Sequence, residues 1–199
     1  VVPKPYQTPH PPFSMAISTE GSATVAANLG LKPIAWRQTA KKLRDWVEIY
    51  GNACVAAGHE CEEPGKDWGV LRQFYVAPTM EEARKVYEPY FLEMIRYRAA
   101  DPWRAMQAFL DPGEEAAPGQ ALDWEFLWNR CLIAGSPENV LEQIQELHEV
   151  SGVGTILASV VHEGFPQDKV LKCIEMMNER IIPEVEKLSS QNVETAIAK

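Results

Sequence analysis

No stretch of this 199-residue sequence approaches the roughly 20 consecutive apolar residues that a helix needs to cross a bilayer. The opening residues VVPKPYQTPHPP also lack the apolar centre of a secretory signal, so a cytoplasmic protein with no membrane partner is the expectation. Basic charge is scarce too: 19 Lys and Arg stand against 28 Asp and Glu, a formal net charge of -9, and the cations are scattered. Without a basic face to neutralise a phosphate backbone, nucleic acid is excluded as a partner. Cysteine is limited to Cys54, Cys61, Cys131 and Cys173, with no close pair of the kind that dithiol or zinc chemistry uses. Free buried thiols are expected, and the Cys54, His59, Cys61 spacing fits no zinc motif, so no metal is expected. A Gly-rich dinucleotide fingerprint, a Walker-type loop, a serine elbow and a His-Glu-x-x-His motif are all missing, which excludes the commonest nucleotide-binding and hydrolytic chemistries. The acidic pairs Glu81-Glu82 and Glu114-Glu115 read as a solvated helix start and a loop rather than as glycosidase carboxylates.

What is present suits a single globular domain: 46% of residues are hydrophobic and 24% charged, enough apolar material for one sizeable core. Pro3, Pro5, Pro9, Pro11 and Pro12 make the first segment a coil. Phe13 to Ile17 then reads as a buried strand, Ser18 to Gly21 as a turn, and Ser22 to Leu29 as a helix closed by Gly30. Leu31 to Trp36 and a helix over about Thr39 to Ala57 repeat that order, with Leu43, Trp46, Val47 and Tyr50 on one helical face. Val70 to Val76 is the next strand, followed by a helix that Thr79 caps and that runs to about Arg98. Between Ala99 and Asn129 the periodicity fails, and residues 108–124 have the composition of a mobile loop suited to act as a lid. Leu132 to Gly135 leads into Ser136-Pro137-Glu138-Asn139, a helix start with a cap, a proline and an early acid, where Gly135 and Ser136 serve turn and cap. Thr155 to Val161 reads as a strand buried on both faces. A last helix spans about Gln167 to Leu188, with Pro183 bending it or starting a new turn, and residues 189–199 form a polar tail. About four strand/helix alternations imply an α/β fold with a parallel sheet, because each crossover helix returns the chain to the same end.

The segment PYQTPHPPFSMAISTEGSATVAANLGL resembles the centre of bacterial luciferase-like flavin-dependent monooxygenases, where a proline-rich approach enters the fifth barrel strand. Arg72 to Ala77 with Thr79 and Glu81-Glu82-Ala83 is similar to that family's seventh strand and following helix, and IAGSPENVLEQIQELHEVSGVGTILA to its Gly-x-Pro-Glu-x-Val approach to the eighth. The resemblance spans residues 1–188 and implies the C-terminal strand/helix units of a TIM-barrel-like (β/α)8 fold, without the first four strands. It implies a monooxygenase in which reduced FMN, supplied by a separate reductase, and O2 oxygenate a small organic substrate, with coenzyme F420 as the alternative flavin. The other reading is a noncatalytic half-barrel flavoprotein or assembly partner. Either way, the open strand edges imply a homo-oligomer or pairing with the missing N-terminal half.

Five residues are candidates for the cofactor. The resemblance places Thr19 and Ser22 on the flavin phosphate, with Ser18 beside them and Gly21 letting the backbone approach. The residues themselves are compatible with this, since a helix N-terminus with free amides favours an anion, but Thr19 or Ser22 acting simply as a helix cap explains them equally. Trp36, at the end of a strand, is similar to the family's flavin-side tryptophan; packing between sheet and helix is the alternative. Arg37 beside it either assists an anion or faces water. His10 reads as a local packing residue, His59 and His148 as surface residues, and His162-Glu163 as a solvated loop pair after the last strand. No residue stands out as catalytic.

Overall fold

The computed structural model describes residues 3–8, 10–98, 101–128 and 130–187, with the backbone alone for 102–104. The tail expected over residues 189–199 lies outside them. Five parallel strands, β1 (Ser14–Ile17), β2 (Lys32–Trp36), β3 (Gly69–Val76), β4 (Leu132–Gly135) and β5 (Thr155–Ser159), alternate with helices. The helices are α1 (Glu20–Asn28), α2 (Ala40–Ala56), α3 (Met80–Arg98), α4 (Pro102–Phe109), α5 (Trp124–Trp128), α6 (Pro137–Ser151) and α7 (Gln167–Met176). β1, β2 and β3 are neighbours in that order. β4 pairs with β3 over Gln73–Val76, whereas β5 pairs with it over Gly69–Gln73.

Local chemistry accounts for most boundaries. Thr39 and Ser136 cap α2 and α6 by accepting from the amides three residues on, and Gly152 closes α6 in the left-handed conformation at φ 72, where a side chain would be strained. α7 passes into a π turn over Met177–Ile181 before residues 182–187 resume as α-helix. Pro183 has no N–H to give and its ring would collide with the carbonyl four residues back, so the widened turn just before it relieves the conflict.

β4 is a strand in its own right, which raises the sheet from the expected four strands to five. Gln143 of α6 supplies what this short strand lacks in partners: its side-chain oxygen accepts from Ala134 N at 3.0 Å and its amide donates to Leu132 O at 3.3 Å. The stretch without periodicity is not all loop. Residues 108, 109 and 124, inside the expected 108–124 loop, belong to α4 and α5. The connection between them is tied at one end by a two-pronged pair of Arg130 with Glu114, 2.7 and 2.8 Å, and by Lys41 with Asp111 at 2.7 Å. Hydrogen bonding from Arg130 holds the Glu114 carboxyl down at about 2, as expected for a bidentate guanidinium partner.

The sheet has one covered face and one open one. Towards the helices, Pro33, Ala35, Val70 and Phe74 are buried, as are Leu43, Trp46 and Tyr50 of α2. On the other face, strand alternation and register align Ala16, Ile34, Gly69 and Thr155 in one row and Trp36, Leu71 and Leu157 in the next. Of these, only Gly69 is buried. The expectation that β5 is buried on both faces is overturned: Thr155 is exposed and Ile156 to Ser159 are half-buried. A β-branched run becomes a doubly buried strand only when something covers both its faces, and among the described residues β5 has one neighbouring strand.

Candidate functional site

In a parallel sheet every strand delivers its last residue to the same end, and there the turns leave backbone groups and side chains free for chemistry. Two sites stand side by side at that end. Because Ile17 pairs with Ala35, the turn after β1 lies next to Trp36.

The first is the start of α1. Thr19 and Ser22 form a complete capping box: Thr19 Oγ1 accepts from Ser22 N at 3.1 Å, and Ser22 Oγ accepts from Thr19 N at 3.0 Å and from Ser18 N at 3.2 Å. Ser22 Oγ also donates to Thr19 O at 2.7 Å. Both hydroxyls therefore already serve the helix. The helix begins at Glu20, two residues before the expected Ser22, because the box encloses that first turn. Ser18, Thr19, Glu20 and Gly21 are exposed, and a Cβ on Gly21 would meet nothing closer than Thr19 Oγ1 at 4.0 Å. The box takes up Ser22 N and leaves the amides of Glu20 and Gly21, two exposed residues, at a helix start whose dipole favours an anion, with the Glu20 carboxylate as a competing charge.

The second is a cleft of about 640 Å³ between the open face of the sheet and α3, walled by Trp36, Leu71, Gln73, Tyr90, Met94 and His162. The exposed Glu93, Arg98 and Glu163 line its rim. Trp36 is 44% exposed and is not the packed core tryptophan that its apolar strand allowed. Its ring is held by cations: the Arg37 guanidinium carbon lies 4.3 Å from the ring centroid and that of Arg98 5.8 Å.

Arg37 does not face water. It is 7% exposed, donates to Met94 Sδ at 3.5 Å, and its Nε has no partner. Burial lowers its pKa to about 10. Among the described non-glycine residues it alone has a positive φ, 59, a conformation that costs energy and that surrounding structure must impose. Here Arg37 N donates to Leu71 O at 3.3 Å, which extends the β2–β3 ladder one step and turns the side chain back over Trp36. Gln73, on the cleft wall, is also buried, with its Oε1 unpartnered.

His162 likewise departs from the solvated-loop reading. It is 9% exposed, and its Nε2 is hydrogen-bonded to the hydroxyl of Tyr87 on α3. Burial, then the Arg37 and Arg98 charges, push its pKa down to about 4, so the ring is neutral at neutral pH. Tyr75 stacks on Tyr87 with centroids 5.0 Å apart, and Phe165 meets Tyr75, Tyr87 and Tyr90 edge-on. That aromatic cluster fixes the floor on which His162 sits. Glu163, by contrast, is exposed as expected.

The structure therefore brings Trp36 and His162 into one cleft and leaves Ser18, Thr19, Gly21 and Ser22 on an adjoining turn. Tyr87, Gln73 and Arg37 are the residues that sequence reasoning passed over or misplaced. Tyr87 sits in an ordinary apolar helix stripe, so no local signal distinguishes it. The remaining histidines lie where they were expected: His10 stacks on Phe13 at 4.6 Å, and His59 and His148 are exposed.

Known proteins share the sequence pattern and the fold of this chain. The sequence profile of luciferase-like monooxygenases matches residues 1–153. A curated 3,6-diketocamphane 1,6-monooxygenase of Pseudomonas putida is 23% identical over 174 residues, 82% of this chain and 44% of that protein. Among solved structures, the monooxygenase RslO1 of Streptomyces bottropensis superposes with a TM-score of 0.69 at 21% identity, covering 92% of this chain and 51% of that one. The FMN complex of the oxygenating constituent of Pseudomonas putida 3,6-diketocamphane monooxygenase, a type II Baeyer-Villiger enzyme, gives a TM-score of 0.66 at 21% identity, covering 87% and 49%. The chain spans about half the length of these relatives.

Proposed function

Because the chain belongs to the luciferase-like monooxygenase family, we propose that it forms the cleft-bearing half of a flavin-dependent monooxygenase that oxygenates a small organic substrate with reduced FMN and O2. The observation that carries this reading is the half-exposed Trp36 ring, held by Arg37 on a cleft wall one strand away from an exposed helix N-terminus. A flat ring system with a phosphate at the end of a short chain matches those two features. Reduced FMN, when bound, supplies the two electrons that take one oxygen atom of O2 to water while the other enters the substrate.

The residues of this chain would then bind and orient. Trp36 offers a face to the flavin ring, the first turn of α1 offers amide donors and the Thr19 and Ser22 hydroxyls to the phosphate, and Leu71, Tyr90 and Met94 keep the wall apolar. A phosphate that recruits those hydroxyls must draw them from the capping box, so the two roles compete. Changing both Thr19 and Ser22 to alanine should weaken FMN binding by about 1.5–3 kcal/mol for each charge-assisted bond lost, and riboflavin, which has no phosphate, much less. Flavin fluorescence titrations of wild type and double variant check this. Equal FMN affinity in both, with circular dichroism intact, would leave the two residues as helix caps. Tighter binding of coenzyme F420 than of FMN would reassign the cofactor to the deazaflavin.

A second reading, a noncatalytic half-barrel that acts as an assembly partner, is favoured by β1 and β5, each of which pairs with one strand among the described residues, and by the open face between them. Both readings require those edges to be covered, because unpaired strand edges and apolar rows invite association. Sedimentation of the purified chain should give a dimer or larger species at micromolar concentration. A monomer that binds no apolar dye would contradict it.

A further inference from the structure

Tyr87 and His162 are 75 residues apart in sequence and meet through one hydrogen bond beneath the cleft. Both groups are neutral, the phenol because burial raises its pKa well above the usual value, so which of them donates is decided by what else each can bond. The Tyr87 hydroxyl has no other hydrogen-bond partner among the described residues. If His162 donated through Nε2, the phenolic O–H would be left without an acceptor in the core, which costs more than a surface group would lose. The hydroxyl therefore donates and Nε2 accepts. A neutral imidazole has one proton, so it must sit on Nδ1. Nδ1 makes no hydrogen bond within the described residues and is not among the buried unpartnered atoms, whereas His162 lines the cleft.

We propose that His162 is held by Tyr87 as the Nδ1–H tautomer and presents to the cleft an uncharged hydrogen-bond donor for an acceptor oxygen of a bound molecule. His162 is the residue that touches the ligand and Tyr87 is a positioning residue. The idea rests on the reading of the cleft as the reaction site and narrows it: a neutral donor favours an uncharged carbonyl or amide oxygen, whereas an imidazolium would favour an anion. The charged and titratable groups around the ring are consistent with the neutral form. Arg37 from the end of β2 and Arg98 from α3 both oppose a positive imidazole, Tyr90 from α3 and Tyr75 behind Tyr87 are phenols, and Glu163 and Glu93 are exposed at the rim. The side-chain oxygen of Gln73, whose residue lines the same wall, is buried without a partner.

Nitrogen-15 labelling of the histidines tests this directly, since the chain has four and a His162→Gln variant identifies the signal. The His162 ring should stay neutral from about pH 5.5 to 8, with its proton on Nδ1 and Nε2 unprotonated. Tyr87→Phe should release the lock and show both tautomers with the fold intact. Cyclohexanone should shift the Nδ1–H resonance in wild type, whereas cyclohexanecarboxylate should not, and Tyr87→Phe should weaken the cyclohexanone response about two- to tenfold, the equivalent of one net hydrogen bond. A proton on Nε2, a ring that titrates at the ordinary histidine pH, or a signal that cyclohexanone leaves unmoved overturns the assignment. Flavin titration is a separate readout: loss of FMN binding alone would count against the cofactor reading and leave the His162 assignment standing.

Discussion

Phe91→Ala should lower the stability of the fold by about 3–5 kcal/mol and its melting temperature by about 6–20 °C. The Phe91 side chain is fully buried and joins two parts of the core, lying nearly parallel to Tyr87 at 5.9 Å and edge-on to Trp124 at 6.3 Å. Its helix, α3, contributes Ala83, Tyr87, Phe91 and Ile95 at four-residue spacing to the interior, so removing one ring leaves a cavity between rigid neighbours that cannot collapse into it. The same cavity lies behind Tyr87, so the His162 contact should loosen as well. Thermal unfolding followed by circular dichroism measures the loss, and Phe91→Leu, which retains most of the volume, should recover more than half of it. A loss under about 1 kcal/mol would mean that the α3–α5 contact contributes little to the packed state.

Gly154→Ala should be nearly as damaging, for a backbone reason. A Cβ there would stand 2.4 Å from Lys66 O, and one on Gly65 would stand 2.2 Å from Gly152 O. These segments run against each other because Gly154 N donates to Gly65 O at 3.0 Å and Thr155 N to Trp68 O at 3.1 Å, the two bonds that launch β5 alongside β3. No side-chain rotation relieves a clash with main chain, so the bonds must lengthen. Overpacking of about 1–3 kcal/mol plus a lost hydrogen bond of about 1 kcal/mol gives an expected loss of roughly 2–4 kcal/mol, with Gly65→Ala equivalent. Gly21→Ala is the control: with nothing within 4.0 Å except Thr19 Oγ1, it should change stability by less than about 1 kcal/mol. Chemical denaturation of the three variants settles the order. Gly154→Ala as stable as Gly21→Ala would refute the close approach.

Where the sequence reading succeeded, the signal was local. Thr79 and Ser136 cap their helices by accepting from the amides three residues on, and the capping box of Thr19 and Ser22 is of the same kind. The apolar spacing of Leu43, Trp46 and Tyr50 marks the buried side of α2 because one helix face meets one sheet face. Where it failed, the missing information was distant. α4 and α5 are only 8 and 5 residues long, too short to be stable by propensity, and they lie beside anchors such as Arg130 to Glu114 that composition does not reveal. β5 looked doubly buried because its residues are apolar, but burial is a property of what surrounds a strand.

The candidate site divides along the same line. The turn from Ser18 to Ser22, the family it resembles and the strand-end position of Trp36 were all legible in the sequence, because each depends on residue types at short, fixed spacing. The burial and positive φ of Arg37, the unpartnered side-chain oxygen of Gln73 and the pairing of His162 with Tyr87 were decided only by the tertiary structure. Each of those depends on which residue from another element arrives beside it: Leu71 for the Arg37 backbone, Met94 for its side chain, and Tyr87 for an imidazole that, judged from its own neighbours in sequence, belonged in water. Burial and hydrogen bonding set the charge state of a titratable group, and both are created only when strands and helices far apart in the chain are packed together.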